Sequence, residues 1–227
     1  MHIEPAVVDG AKIALSYATA VGAAGVAGKM AYDTIKTDGG VAALAARSVV
    51  TTALVFGFFQ VLPHHPVGVS EVHFILGSTL FLMFGSGAAA IGLALGLLTQ
   101  GLFFAPIDLP QYGMNVTTLL VPLYAMSLLA KKVIPAKTAY KDITYRQALV
   151  LSTSFQAGIV AWVAFWAFYG QGFGAANLAQ VATFAAAYMT VIVVEPLLDL
   201  AVLAVAKNID RLKNGVLLHN RLFAPAT

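Results

Sequence analysis

Charge is absent from long stretches of this chain, and that absence limits its fold more than any motif does. No Asp, Glu, Lys or Arg interrupts residues 13–28, 48–61, 74–107, 109–130 or 147–194. A helix that spans a bilayer needs about 20 predominantly apolar residues. Hydrocarbon offers no partner to backbone N–H and C=O groups, so runs of this length cross as helices that satisfy their own backbone. With 59% hydrophobic and 10% charged residues among 227, the sequence lies far from the balance of a soluble domain. It reads as an all-α, polytopic membrane protein forming a single domain over residues 1–227, without repeats or low-complexity segments.

The two longest stretches exceed one crossing. Tyr169-Gly-Gln-Gly-Phe-Gly174 breaks the last of them, because glycines are costly in a helix interior. Gly85-Ser86-Gly87 breaks the 74–107 stretch, giving a short span of about 18 Å at 1.5 Å per residue followed by a full one. The expected spans are seven, at roughly 11–32, 45–62, 73–84, 87–104, 114–133, 147–168 and 176–206. This count places every Lys and Arg except Lys12 on one side: Lys29, Lys36 and Arg47, then Lys131, Lys132, Lys137, Lys141 and Arg146, then the tail with Lys207, Arg211, Lys213 and Arg221. Basic loops mark the cytoplasm. The N-terminus is therefore expected outside, with residues 207–227 as a basic cytoplasmic tail, in a plasma (bacterial inner) membrane. No basic n-region or cleavage site resembles a signal peptide, so Met1 is expected to remain.

Under this topology the outer face gathers His2, His64, His65 and His73 with Glu4, Asp9, Glu71 and Asp108. Imidazole and carboxylate are cation ligands, and a ring of acids attracts divalent ions. A free Met1-His2 terminus offers an α-amine, an amide nitrogen and an imidazole in one chelate. One further imidazole would complete a tetragonal N₄ set suited to Ni(II), Cu(II) or Co(II). Taken alone, a motif this short reads more readily as an incidental polar residue on a flexible terminus. His73 opens an otherwise charge-free span, and an ionisable group in that position is a functional candidate. His64, His65 and Glu71 would line the entrance, and Asn115, Gln100 and Ser70 would surround the ligands with hydrogen bonds. The absence of cysteine removes thiolate ligands, disulfides and thiol redox chemistry.

Met1-His2-Ile3 with the acid and proline that follow, Pro66-Val-Gly-Val-Ser-Glu-Val-His73-Phe-Ile-Leu-Gly77, Leu98-Thr-Gln100-Gly-Leu-Phe-Phe104, Gly113-Met-Asn115 and Val194-Glu195 resemble, in order, the CbiM/NikM family. These are the substrate-binding S components of cobalt/nickel energy-coupling-factor transporters. The resemblance implies a metal site formed by the amine of Met1, the amide and imidazole of His2, and His73. It also implies import of Co²⁺, slightly favoured, or Ni²⁺ as the only bound ion. The implied partners are a transmembrane coupling subunit similar to CbiQ, ATPase subunits similar to CbiO and a small accessory membrane subunit, with no nucleic acid. The chain departs from the family in its Val69-Ser-Glu-Val-His73 loop, usually Gly-Thr-Ser-Gly-His, and in Pro106-Ile-Asp108-Leu-Pro110, which replaces an aspartate-glycine pair. It also lacks a second asparagine after Asn115.

Ala14, Ala18 and Gly22 form a small-residue face that permits close helix packing, either inside the bundle or against the coupling subunit. Trp162, Phe165, Trp166 and Phe168 read as an aromatic belt at the outer membrane interface. No Gly-x-x-x-x-Gly-Lys-Ser/Thr loop is present, so the chain is expected to be a transport subunit and not an ATPase. Two alternatives remain: a haem-binding membrane subunit, which needs opposed axial ligands, and an intramembrane serine hydrolase using Ser86, which needs a base within hydrogen-bond reach.

Overall fold

A computed structural model describes residues 3–136 and 138–208. Among the described residues there are seven α-helices: α1 Ile13–Thr37, α2 Gly40–Gln60, α3 Gly77–Phe84, α4 Ser86–Phe103, α5 Tyr112–Val133, α6 Tyr145–Gln171 and α7 Ala175–Asn208. Helices α2, α4, α6 and α7, and α5 with the 3₁₀ turn before it, are long and apolar enough to cross a membrane. The chain is an all-α, multi-pass membrane protein. Helix α1 has 25 residues with Lys29 and Lys36 near its C-terminal end. The basic tail from residue 209, including Arg211, Lys213, His219 and Arg221, lies outside the described residues, as do Met1 and His2.

Glycine contacts fix how the helices pass one another. A Cβ on Gly92 or Gly96 would meet Thr51 at 2.3 Å or Val55 at 2.6 Å. Both helices therefore run in the same direction, and only glycine allows them this close. Gly87 meets Thr34 and Met30, and Gly113 meets Ser16, which sets α1 antiparallel to α4 and the start of α5 beside the start of α1. Tyr188 donates to Gln156 Oε1 at 2.7 Å, and Asn177 donates to the carbonyl of Ala167 at 3.0 Å, so α6 and α7 are antiparallel. At one end of the bundle, Gln147 reaches the Val133 carbonyl and Lys207 reaches that of Ile143. At the other end lie the starts of α1, α3, α5 and α7 and the ends of α2, α4 and α6.

Two expectations change. Helix α3 does not begin at His73. Residues 73–76 are non-helical, and the helix that follows has only eight residues, about 12 Å long. The reason lies in α7, where Glu195 accepts the backbone N–H of Ile75 at 3.0 Å and that of Leu76. Asp199, one turn on, accepts the hydroxyls of Ser78 and Thr79. These contacts satisfy polar groups at the start of α3 inside the bundle, as irregular backbone at membrane depth requires. Trp166 is also no belt residue: it is fully buried, and only Trp162, Phe165 and Phe168 of that cluster retain exposure. Arg47 is likewise buried, paired with Asp38 in the tight α1–α2 connection. Ala14, Ala18 and Gly22 lie on the open surface of α1, so the bundle itself does not use that face.

Candidate metal centre

The segment ahead of α1 is held down along its length. Ile3 forms an antiparallel bridge with Ser70, and its N–H donates to Asn115 Oδ1 at 2.8 Å. The Glu4 N–H donates to the Val69 carbonyl at 3.1 Å. Ile3, Val7 and Val8 are buried. A Cβ on Gly170 would lie 1.9 Å from the Val7 carbonyl, so glycine at the end of α6 allows the segment to seat. Lys12 closes it by donating to the Gly170 carbonyl at 2.6 Å.

The strand partner of this segment is a short hairpin absent from the sequence expectation: β1 His65–Val67 and β2 Ser70–Val72, antiparallel, with Pro66 opposite Glu71. Gly68 turns it at φ +62°, and a Cβ there would lie 2.3 Å from the Gln180 carbonyl of α7. The turn requires a residue tolerant of positive φ and without a side chain. Side chains alternate along extended backbone, so Glu71 and His73 project to the same side. His73 Nε2 donates to Glu71 Oε2 at 2.7 Å.

His73 is buried. The ring of His64 stacks parallel on it, centroids 5.0 Å apart, and Phe59 packs at 5.3 Å. Burial lowers the His73 pKa well below the ordinary 6.5, so the imidazole is neutral, the form that binds metal. Glu4 is raised by burial and by its neighbours Glu71 and Asp108, so three carboxylates face one another at this mouth.

Of the residues singled out in the sequence, Ser70, Asn115, His73, Glu71 and His64 come together here. Gln100 is buried in α4. Its amide donates to the Phe59 carbonyl at 3.2 Å, so it acts at the end of α2 behind the ring. His65 is exposed on β1. Among the described residues, no group of three or more His, Asp or Glu is arranged to hold an ion. Sequence reasoning matched Glu195 to the family without giving it a role and missed Asp199, and together the two set the depth of the segment carrying His73. Two acids at i, i+4 in an otherwise apolar helix were the available signal.

The family model described as a cobalt uptake substrate-specific transmembrane region, CbiM, matches residues 2–211. The chain belongs to the CbiM family. It is thus a substrate-specific membrane component for uptake of cobalt or nickel ions. Searches of curated proteins and of solved structures gave no match. For a CbiM-family member, the buried neutral histidine beside a pinned N-terminal segment is the feature that fits a cation cargo.

Proposed function

We propose that this chain is the S component of an energy-coupling-factor transporter that captures Co²⁺ or Ni²⁺ from outside the cell, with Co²⁺ slightly favoured. Met1 supplies its amine, His2 its amide and imidazole nitrogens, and His73 the fourth nitrogen. The observation that carries this reading is the Ile3–Ser70 bridge. It fixes the residue that follows Met1-His2 three positions from His73, and Asn115 holds the same residue from below. His64 and Glu71 stand at the entrance, where the carboxylates of Glu4 and Asp108 add to the attraction of a cation.

The basic residues support the orientation. Lys131, Lys132 and Arg146 lie at the end opposite the site, which is assigned to the cytoplasm. A coupling subunit like CbiQ would dock on the open α1 face of Ala14, Ala18 and Gly22, and ATPase subunits like CbiO would drive release inward.

The haem alternative is disfavoured because His64 and His73 are stacked face to face and do not aim nitrogens at a common iron. For the hydrolase alternative, Ser86 starts α4 next to Gly87, which packs on Thr34 near the far end of α1, away from the histidines.

Titration of purified protein with Co²⁺ and Ni²⁺ tests the reading. His73→Ala should abolish tight binding of both ions. His64→Ala and His65→Ala should have modest effects, and His219→Ala none. Unchanged affinity in the folded His73→Ala protein would refute the assignment.

A further inference from the structure

Resting on that reading of the site, we propose that Glu195 is a positioning residue for metal capture, which holds Leu76 in a left-handed backbone conformation and so keeps His73 at the site. Without that hold, residues 74–76 join α3 and withdraw the histidine. Leu76 is one of two non-glycine residues with positive φ among the described residues, at φ +53° and ψ +35°. There the Cβ of an L-residue crowds the following carbonyl oxygen, so only glycine adopts this conformation freely. A leucine kept in it three residues from a candidate ligand is an outlier of the kind that marks a functional constraint.

The constraint comes from α7. The buried carboxylate of Glu195 accepts the N–H of Ile75 at 3.0 Å and that of Leu76, which turns both groups toward α7. Leu76 then redirects the chain into α3, whose first helical bond runs from the Leu80 N–H to the Leu76 carbonyl at 2.9 Å. Helix starts favour Ser, Thr, Asp or Asn at the N-cap. Here that position is Leu76, which makes no side-chain cap, so the acceptor is supplied from another helix.

The local sequence favours the other state. Phe74, Ile75 and Leu76 lead into α3 with no proline and no polar capping residue. With Leu76 right-handed, the N–H groups of residues 77–79 would bond the carbonyls of residues 73–75 in the ordinary i→i−4 pattern. Extended backbone advances about 3.3 Å per residue and helix about 1.5 Å, so adding residues 74–76 to α3 shortens the segment by up to about 5 Å. Asp199 holds α3 through Ser78 and Thr79, so the movement falls on His73. The ring then leaves its stack on His64 and its contact with Phe59.

The test uses the full-length chain with an unextended N-terminus and measures Co²⁺ affinity by calorimetry, with the thermal midpoint alongside. Glycine at position 76 accepts the left-handed conformation and disfavours helix, whereas alanine removes the same side chain but keeps the steric penalty. Glu195→Ala should weaken binding at least about tenfold, and Glu195→Ala/Leu76→Gly should recover about fivefold to tenfold of that loss, the scale of the left-handed penalty. Glu195→Ala/Leu76→Ala should recover nothing. If Glu195 only packs the bundle, both changes at position 76 weaken the protein further. Unchanged affinity in Glu195→Ala, or equal affinity in the two double variants, overturns the proposal. Glu195→Gln carries the same pair of changes should the alanine variant fold poorly, with a smaller loss and the same order. His73→Ala in parallel separates the two levels. Loss of binding there with no glycine–alanine difference at position 76 rejects only the role of Glu195, and retained binding in folded His73→Ala rejects the site as a whole.

Discussion

At the scale of single residues, the site depends on groups that hold the ligands as much as on the ligands. Asn115 is the clearest case, since its side-chain oxygen takes the N–H of Ile3. Asn115→Ala leaves that buried donor unsatisfied, at a cost of about 1–3 kcal/mol. Metal affinity should fall about tenfold or more by calorimetry, while Asn115→Asp, which keeps the acceptor, should retain most of it. His73 gives a pH prediction. Its folded pKa is below 6.5, so between that lower value and 6.5 the unfolded chain binds a proton that the folded chain does not. Stability is then full above about pH 6.5 and declines as the pH falls through the window. The thermal midpoint of the metal-free protein should drop between about pH 7 and about pH 5.5. His73→Phe should flatten part of that drop, and an identical profile in the variant would contradict the burial argument.

At the scale of elements, the helices were legible because hydrophobic runs and glycine breaks report directly on spans. Gly85 and the 169–174 cluster ended helices where expected, and α4 begins within one residue of its predicted start. The start of α3 was not legible. Apolar Ile75 and Leu76 carry no sign that their N–H groups bond to a side chain 120 and 119 positions away. The hairpin was hidden for a similar reason: three-residue strands have no periodicity to read, and their pairing is set by the N-terminal segment and α7. Of the site, His73 stood out as a polar residue at an apolar boundary, whereas the stacking of His64 on it depends on how α2 ends. Glu195 ties these elements together. Glu195→Ala removes the acceptor for two buried N–H groups and should lower the thermal midpoint in detergent and weaken metal binding. Glu195→Gln keeps one acceptor oxygen and should fall between wild type and alanine. Equal midpoints for all three proteins would show that the carboxylate does not anchor α3.

At the scale of the whole molecule, the bundle is polarised. One end carries His64, His73, Glu4, Glu71 and Asp108, and the other carries most of the Lys and Arg. Because the chain has no cysteine, this arrangement can be read in cells. Val61→Cys, at the site end, should react with a membrane-impermeant maleimide in intact cells, and Ala136→Cys should react only after permeabilisation. The reverse pattern would invert the assigned orientation and place the site in the cytoplasm. A terminal amine cannot be supplied by an internal residue, and the chelate rings of Met1 and His2 cannot form from an internal amide. The decisive measurement is therefore metal-binding calorimetry on two forms of the full chain, one beginning at Met1 and one extended by a single residue. Loss of tight binding in the extended form, with unchanged helix content and thermal midpoint, is the result predicted here, and equal affinity in the two forms would contradict the N-terminal chelate.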